Sequence, residues 1–248
     1  MHGDSRRRLL GSHLPKYPRA PTGLNCKLEP SSLNNMNIGI IGAGNVGGTL
    51  GKAWAGRGHK IKFGVRKSTD EKVTALLKQC GPGASAGTIN DATGFGQVVV
   101  LTTPWDGAKS ALDSAGNLSG KILVDCTNPV PLGANLMEGL TLGHTTSAGE
   151  EVAKWAKGAK VVKAFNTTGA GNMANPRFGG DASVMFVAGD DAEAKRTVVQ
   201  LSNELGFETI DAGPLRQARL LEPLAMLWIS LAYAQGLGPN FAFKVVRR

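Results

Sequence analysis

The sequence predicts an α/β fold with a doubly wound, mostly parallel sheet and a helical cap at its C-terminal end. From residue 36 onward, short apolar runs alternate with amphipathic stretches, which is typical of β-α-β units. A glycine-rich turn directly follows the first apolar run. Because no internal repeat and no long linker interrupts the chain after residue 36, we expect one compact domain over residues 36–248.

The apolar runs predict the strands, and the amphipathic stretches between them predict the helices. Strands are expected over residues 37–41, 60–64, 97–102, 121–125, 160–165, 183–188 and 208–211. Helices are expected over residues 46–57, 69–79, 105–115, 147–157 and 191–205. The segment Ser68-Thr69-Asp70-Glu71 has the pattern of a capping box, which places Ser68 at the entry of the second helix.

A last helix is expected over residues 217–235. From Leu220 onward it is apolar over most of its circumference, which is not the pattern of a surface helix. It must therefore be covered either by the domain or by a second subunit. We expect a C-terminal dimerisation cap from about residue 211, and a homodimer.

The basic charge of the chain is partly concentrated at its start. Residues 1–35 hold six basic and two acidic residues and four prolines, and they contribute +4 to a formal net charge of +9. This composition predicts a disordered leader, with an organelle transit peptide as the alternative interpretation. The remaining charge forms no basic run interleaved with aromatic residues, which argues against nucleic-acid binding.

Metal, disulfide and membrane chemistry find no support in the sequence. The three cysteines and four histidines are scattered, without disulfide or metal-ligand spacing. The longest apolar run covers the eleven residues 224–234, whereas a bilayer span needs roughly 20. We therefore expect no bound metal, no membrane anchor and a reducing compartment, the cytoplasm.

The glycine-rich turn fits the motif G-x-G-x-x-G. Its members are Gly42, Ala43, Gly44, Asn45, Val46 and Gly47. In a Rossmann-type sheet the first glycine permits a tight turn, the second lets the backbone approach a pyrophosphate, and the third brings helix against strand. The helix N-terminus then offers N–H groups to the phosphates. The alternative is a glycine-rich turn without a ligand.

The end of the second strand indicates which dinucleotide is bound. NAD sites have Asp or Glu there to accept hydrogen bonds from the ribose, whereas this chain has Gly64-Val65-Arg66-Lys67-Ser68. Arg66 can grip a ribose phosphate with a forked contact, Lys67 adds a charge and Ser68 can donate a hydrogen bond. Because this stretch contains no carboxylate to repel a ribose phosphate, it predicts NADP. The alternative is a solvated basic turn with Ser68 as a helix cap.

These stretches and several later ones resemble one family, the NADPH-dependent deazaflavin (coenzyme F-420, here F420) reductases, together with a wider group of dinucleotide-binding oxidoreductases. The resemblance covers the chain from residue 36 onward and also extends to the cytosolic domain of six-transmembrane metalloreductases. The matching segments are IGIIGAGNVGGTLGKAWAGRGHKIKFGVR at 38–66, VVLTTPW at 99–105, VDCTNPV at 124–130, VVKAFNT at 161–167, NPRFGG at 175–180 and DAGPLRQARLLEPLAMLW at 211–228.

The resemblance implies a dimeric Rossmann-type oxidoreductase that moves a hydride between NADP and a deazaflavin or flavin-like acceptor. It implies that residues 43–46 contact the pyrophosphate and Arg66 the ribose phosphate. Family members often have Ser before that Arg and Lys four residues after it, where this chain has Val65 and Asp70. The remaining implied cofactor and acceptor contacts are Thr103, Pro104, Trp105, Asn128, Pro129, Asn166, Thr167, Ala170 and Leu220. For Pro104 and Pro129 the alternative is strand termination, and for Leu220 a place in the core.

Hydride transfer between two redox cofactors needs little acid–base machinery in the protein. This would explain why His, Glu and Lys are nearly absent from the expected cleft, with Lys163 and Glu222 as the exceptions. For these two residues a buried ion pair or a helix cap is at least as good an explanation as catalysis. One rival function is an NADP-dependent hydroxy-acid or imine dehydrogenase in which Lys163 acts on a carbonyl. Another is a non-catalytic NADPH sensor. An acidic deazaflavin tail would suit Arg177, Arg216 and Arg219; flavin or an iron chelate are alternative acceptors.

Overall fold

The computed structural model describes residues 35–130 and 139–248. The predicted leader, residues 1–35, lies outside the described residues except for Asn35. Among the described residues, no helix has both the length and the apolar composition that crossing a bilayer requires.

Ten strands and eight α-helices follow one another along the described chain. The strands are β1 (Asn37–Ile41), β2 (Lys60–Gly64), β3 (Ala84–Gly87), β4 (Val98–Leu101), β5 (Ile122–Asp125), β6 (Lys160–Lys163), β7 (Arg177–Phe178), β8 (Asp181–Ala182), β9 (Val184–Gly189) and β10 (Glu208–Gly213). The helices are α1 (Asn45–Ala55), α2 (Glu71–Cys80), α3 (Ile89–Phe95), α4 (Trp105–Asp113), α5 (Ala148–Trp155), α6 (Ala170–Ala174), α7 (Ala192–Leu205) and α8 (Ala218–Ile229).

Eight of these strands form one sheet in the order β10-β9-β6-β5-β4-β1-β2-β3. Strands β1 to β6 run parallel, and β9 pairs antiparallel with β6 and parallel with β10. The doubly wound α/β architecture expected from the sequence is confirmed. Since β1 lies between β2 and β4, the chain reverses its direction of progress across the sheet at β1, and such switch points are where α/β sheets bind ligands.

The central strands alternate their side chains between two hydrophobic clusters, one on each face of the sheet. Val98 and Val100 of β4 join the face covered by α1 and α7, whereas Val99 and Leu101 join the face covered by α4 and α5. Trp54 of α1 is fully buried, and its indole nitrogen donates to the Leu201 carbonyl of α7 at 3.2 Å. Both faces of the sheet are thus covered by helices.

The end of the chain packs back on the domain. The Asn172 amide donates to the carbonyl oxygens of Pro239 and Phe241, and the Trp228 indole donates to the Phe241 carbonyl at 3.0 Å. Trp228 also stacks on Phe241 with ring centroids 5.2 Å apart. The C-terminal segment is therefore anchored to both α6 and α8.

Several details differ from the sequence-based expectation. The residue that caps α2 is Asp70, whose side chain accepts from the Lys72 N–H at 2.9 Å, so the capping box predicted at Ser68 is wrong. Strand β3 and helix α3 were not expected, and neither were the short helix α6 and the β7–β8 hairpin. Their bounds are Ala84–Gly87, Ile89–Phe95, Ala170–Ala174, Arg177–Phe178 and Asp181–Ala182.

The last helix is only partly covered by the domain. It ends at Ile229, and a π-helical turn follows over Ser230–Ala234. Leu221 and Trp228 are buried, whereas Leu220 is 67% and Leu227 50% exposed. The structure thus accounts for one side of this apolar helix and leaves the other side uncovered by the described residues.

Candidate functional site

A cleft of about 1050 Å³ opens at the carboxyl ends of β1, β2 and β4. The glycine-rich turn after β1, the basic turn after β2 and the segment after β4 all line it. Parallel strands bring their carboxyl ends to one edge of the sheet, which explains why segments far apart in sequence meet here. Of the residues expected at the cofactor, Gly42, Ala43, Gly44, Arg66, Lys67, Thr103 and Pro104 line this cleft.

The three glycines of the motif differ in what they permit. Gly42 has φ of 107°, a left-handed conformation that favours glycine. A Cβ at Gly47 would collide with the Gly42 carbonyl oxygen and the Thr102 hydroxyl, so this glycine allows helix α1 to pack against the strands. A Cβ at Gly44 would meet no atom within 4 Å. Gly44 therefore faces open space, where a ligand can approach the backbone.

The N-terminus of α1 points its backbone N–H groups toward this turn. No side chain caps the helix at Gly44, and its first turn contains no acidic residue. The first N–H groups of a helix lack intrahelical partners, and the helix dipole adds a partial positive charge there. The turn and the helix together are suited to bind an anion.

Arg66 and Lys67 contribute the full positive charges of the cleft. Both residues are exposed and line it, and neither side chain has a hydrogen bond or ion pair with any described residue. Ser68 is exposed but does not line the cleft. Asp70, two residues beyond the stretch 64–68, does line it, so a carboxylate lies beside the basic turn although the turn itself has none. Asp70 reaches the cleft because it caps α2 and thus begins the helix beside the basic turn.

The segment after β4 adds polar groups to the opposite wall. The Thr103 hydroxyl oxygen is buried and has no hydrogen-bond partner among the described residues. Trp105 does not line the cleft and stacks instead on Trp155 of α5, with ring centroids 5.2 Å apart. Ser110 and Ser114 do line it, and sequence reasoning missed them. Ser110 lies on α4 and Ser114 directly follows it, and their spacing of four residues was the available signal.

Asn128 and Asn166 form a reciprocal pair at the ends of β5 and β6. The Asn128 amide nitrogen donates to the Asn166 carbonyl oxygen at 3.0 Å, and the Asn166 amide nitrogen donates to Asn128 Oδ1 at 3.0 Å and to the Leu221 carbonyl at 3.2 Å. Phe165, just before Asn166, has φ of 58°, which is uncommon for a residue with a side chain and often marks functional sites. Pro129 is buried beside the pair.

A smaller cleft of about 350 Å³ lies between α1, α6 and the C-terminal segment. It brings together Asn45 and Ala170, two residues expected at the cofactor, with Thr49, Tyr233 and Asn240. Val46 is half-buried in the first turn of α1, and Thr167 is buried after β6. Leu220 lines neither cleft, although its neighbour Leu221 contacts Asn166.

Lys163 is enclosed by protein and does not face either cleft. Its ammonium lies 2.9 Å from Asp125 Oδ2 and 2.8 Å from Glu222 Oε1, and it donates to the Thr127 carbonyl. Burial disfavours the charged ammonium, but Asp125 and Glu222 outweigh burial and raise the pKa of Lys163. Lys163 is thus a charged structural residue with its three donors in use.

Glu222 also caps helix α5. Its carboxylate accepts from the Ala148 N–H at 2.9 Å and the Gly149 N–H at 3.0 Å. Both explanations considered for Lys163 and Glu222 at the sequence level, an ion pair and a cap, describe their contacts. Burial raises the pKa of the neighbouring Cys126 thiol well above its usual value, so this cysteine is neutral.

The arginines considered for an acidic acceptor tail are not equivalent. Arg219 forms a forked pair with Glu150, with nitrogen–oxygen distances of 2.8 and 2.6 Å. The hydrogen bond from Arg219 lowers the pKa of Glu150, and the pKa of Arg219 is raised by the same contact. Arg177 and Arg216 are exposed.

No group of three or more His, Cys, Asp or Glu side chains within residues 35–130 and 139–248 could hold a metal ion.

The residues of the large cleft fit a phosphorylated dinucleotide. Gly44 leaves room for a pyrophosphate, the uncapped end of α1 supplies N–H donors, and the Thr103 hydroxyl needs a partner. Arg66 and Lys67 are available to a further phosphate. This donor set matches the anionic groups of NADP, and two carboxylates, Asp70 and Asp106, also line the cleft.

Comparison with known proteins gives the same answer. A family profile described as "NADP oxidoreductase coenzyme F420-dependent" matches residues 37–129. The F420-dependent NADP reductase of Methanocaldococcus jannaschii is 32% identical over 209 residues, which cover 79% of this chain and 92% of that protein. The metalloreductase STEAP3 of Rattus norvegicus is 32% identical over 194 residues, but the chain spans only 37% of its length.

Solved structures extend the likeness over the whole described domain. A candidate F420-dependent NADP reductase from Arthrobacter sp. FB24 has a TM-score of 0.78 and 35% identity, covering 86% of this chain and 100% of that one. An imine reductase of Myxococcus stipitatus has a TM-score of 0.60 at 22% identity over 81% of this chain and 63% of its own, and shows the fold alone. These matches confirm the resemblance seen in the sequence: the chain belongs to the family of coenzyme F420-dependent NADP oxidoreductases.

Proposed function

We propose that this protein transfers a hydride between NADPH and a deazaflavin such as F420, or a flavin-like acceptor. The observation that carries the proposal is that one cleft combines an uncapped helix N-terminus at Gly44 with the cations Arg66 and Lys67, which have no partner among the described residues. The first suits a pyrophosphate and the second suits a ribose phosphate. The relatives named as F420-dependent NADP reductases support the acceptor class.

Each part of the cleft then has one task in binding. The turn at residues 42–47 would hold the pyrophosphate, and Arg66 with Lys67 would hold the ribose phosphate. Thr103 would donate to, or accept from, a sugar or phosphate group, and Pro104 would shape the wall. The residues at the ends of β5 and β6 would orient the nicotinamide.

When bound, NADPH supplies a hydride, and the acceptor takes up that hydride with one proton from solvent. The protein's contribution is to hold the two rings in reacting geometry and to exclude water. Lys163 is fully buried with its donors engaged by Asp125, Glu222 and Thr127. This arrangement disfavours the rival in which Lys163 acts on a carbonyl or imine, since the lysine does not reach the cleft.

The acceptor would approach the carboxyl ends of β5 and β6, near Asn166 and Leu221, which line neither cleft. The smaller cleft beside Ala170 and the exposed ring of Tyr233 offer a planar molecule a surface to rest on. Arg177 and Arg216 remain available for an acidic tail, whereas Arg219 is held by Glu150. Flavin or a ferric chelate are the alternative acceptors, the latter in view of the likeness to a metalloreductase.

A homodimer and a cytoplasmic location belong to the same proposal. The uncovered side of α8 presents Leu220, Pro223 and Leu227 to solvent, and contact between two copies of this helix would bury it. Three widely spaced cysteines suit a reducing compartment.

The decisive experiment mixes the purified protein with NADPH and a panel of F420, flavins and ferric chelates while nicotinamide absorbance is followed. Oxidation that is fastest with F420 supports the proposal. Tight NADPH binding without oxidation by any acceptor would favour the rival sensor, and turnover of imines or keto acids would favour the rival dehydrogenase.

A further inference from the structure

The orientation of the Asn166 side-chain amide is fixed by its partners. Its nitrogen faces the Leu221 carbonyl at 3.2 Å and Asn128 Oδ1 at 3.0 Å. A carbonyl oxygen can only accept, and Asn128 Oδ1 must face Asn166 because the Asn128 nitrogen already donates to the Asn166 backbone carbonyl. Reversing the Asn166 amide would place its oxygen against two acceptors, so Nδ2 must hold this place.

This orientation leaves Asn166 Oδ1 without a donor. The residue is 5% exposed, and Oδ1 is a buried acceptor with no hydrogen-bond partner among the described residues. Buried amide oxygens nearly always have a partner, because leaving one unsatisfied destabilises the fold. The three hydrogen bonds made by the Asn128 and Asn166 side chains fix the position of this oxygen. Asn166 Oδ1 is therefore a candidate for ligand recognition.

The position of Asn166 in the sheet indicates which part of a ligand would meet it. The basic turn follows β2, the glycine-rich turn follows β1, and Asn166 follows β6, in the strand order β2-β1-β4-β5-β6. A dinucleotide with its ribose phosphate at Arg66 and its pyrophosphate at Gly44 extends toward β5 and β6. The nicotinamide end would then lie at Asn166.

We propose that Asn166 Oδ1 accepts a hydrogen bond from the carboxamide N–H of the nicotinamide and so sets the orientation of that ring. The proposal rests on the NADP function proposed above. The carboxamide is the ring substituent that carries an N–H donor, and Asn166 offers the matching acceptor. Asn128 acts as a positioning residue because it holds the Asn166 amide in the required orientation.

The buried charges beneath this pair support the same arrangement. Lys163 binds the Thr127 carbonyl next to Asn128, and it binds Glu222 next to Leu221. The loop after β5 and helix α8 are thus tied to one ammonium group. Both hydrogen-bond acceptors of the Asn166 nitrogen belong to segments that Lys163 fixes, so the amide has little freedom to turn.

The test compares binding of three ligands to wild type and Asn166→Ala by titration calorimetry. The ligands are NADP⁺, its 3-acetylpyridine analogue, which has no N–H on the ring substituent, and 2′-phospho-ADP-ribose, which has no nicotinamide. Wild type should prefer NADP⁺ over the analogue by about three- to tenfold, the worth of one hydrogen bond. Asn166→Ala should lose that preference and still bind 2′-phospho-ADP-ribose as wild type does.

Two further variants separate recognition from folding. Asn166→Asp keeps an oxygen that can accept from the carboxamide and should retain part of the preference. Ser183→Ala removes another buried polar atom that lacks a partner among the described residues, and should change nothing. Equal affinities of wild type for NADP⁺ and the analogue, or a preference that persists in Asn166→Ala, would overturn the proposal.

The remaining outcomes also decide. If Asn166→Ala weakens all three ligands alike, the residue is structural or contacts a ribose hydroxyl, and the proposal fails. If wild type binds none of the three, the NADP function fails with it. Binding of 2′-phospho-ADP-ribose without any discrimination among nicotinamides would reject the Asn166 contact and leave the NADP function standing.

Discussion

The Lys163 ammonium lies 2.8 Å from a Glu222 carboxylate oxygen, and neither side chain reaches solvent. Replacing Lys163 by Met should lower the free energy of unfolding by about 3–5 kcal/mol, because Asp125 and Glu222 would remain buried without a cation. Urea unfolding measures the loss. Lys154→Met, which breaks an exposed pair with Glu151, is the control and should cost less than about 1 kcal/mol. A stable Lys163→Met protein that had lost only turnover would revive the carbonyl-reducing rival.

Reversing the charge of Arg66 should separate the two nicotinamide coenzymes. Arg66→Glu removes a forked phosphate donor and adds repulsion, so NADPH affinity should fall by at least about 30-fold while NADH affinity changes little. Fluorescence titration with both coenzymes measures this. Lys78→Glu reverses an exposed charge in the last turn of α2, outside the cleft, and serves as the control. Equal losses for NADPH and NADH would remove Arg66 from phosphate recognition.

Asp70 should oppose the binding of the ribose phosphate. Asp70→Asn keeps a residue that caps helices well and removes one negative charge from the cleft. NADPH affinity should rise by roughly two- to fivefold at low salt, and the gain should shrink as ionic strength increases. The thermal midpoint should stay within a few degrees of wild type. A fall in NADPH affinity would show that Asp70 assists the site.

The Glu150–Arg219 pair should make stability depend on pH. Hydrogen bonding to Arg219 lowers the pKa of Glu150 in the folded protein, so the pair stabilises the fold above the usual carboxylate range near 4.3. That stabilisation disappears as pH falls through the lowered pKa. Unfolding free energies of wild type and Glu150→Gln, measured from pH 7 to 3, should therefore differ at neutral pH and converge in acid. A constant difference would contradict the assignment.

A charge on the uncovered side of α8 should disrupt the proposed dimer. Leu227→Lys places an ammonium at a half-exposed apolar position, and light scattering should detect monomers where wild type gives dimers. Val246→Lys lies in the C-terminal segment, is more exposed and is the matched control. If wild type is monomeric at micromolar concentration, the dimer proposal is wrong.

Local patterns predicted the parts of the fold that local sequence controls. The bounds of β1 and β2 were predicted correctly because a glycine follows or ends each apolar run. Strand β3 was missed because ASAG has no β-branched residue and forms one edge of the sheet, where packing against β2 decides whether a strand forms. A signal for α3 existed in its capping box at Thr88 and Asp91.

The site was predictable where it is continuous in sequence and unpredictable where it depends on tertiary contact. Local sequence predicted the glycine-rich turn and Arg66, because each lies within a single strand–turn–helix segment. The amide pair of Asn128 and Asn166 joins residues 38 positions apart, and the orphaned oxygen depends on the further contact with Leu221. Asp70 was misjudged because Ser68 and Asp70 are both plausible caps, and the difference is one of turn geometry.

The strand order has a consequence for how such a protein changes over time. The basic turn after β2 and the asparagines after β5 and β6 are separated by up to four strand spacings, roughly 19 Å. No described side chain links these two ends directly. Substitutions at one end can therefore change the coenzyme, and substitutions at the other end can change the redox partner. The two kinds of substitution are independent because each leaves the opposite end of the site intact.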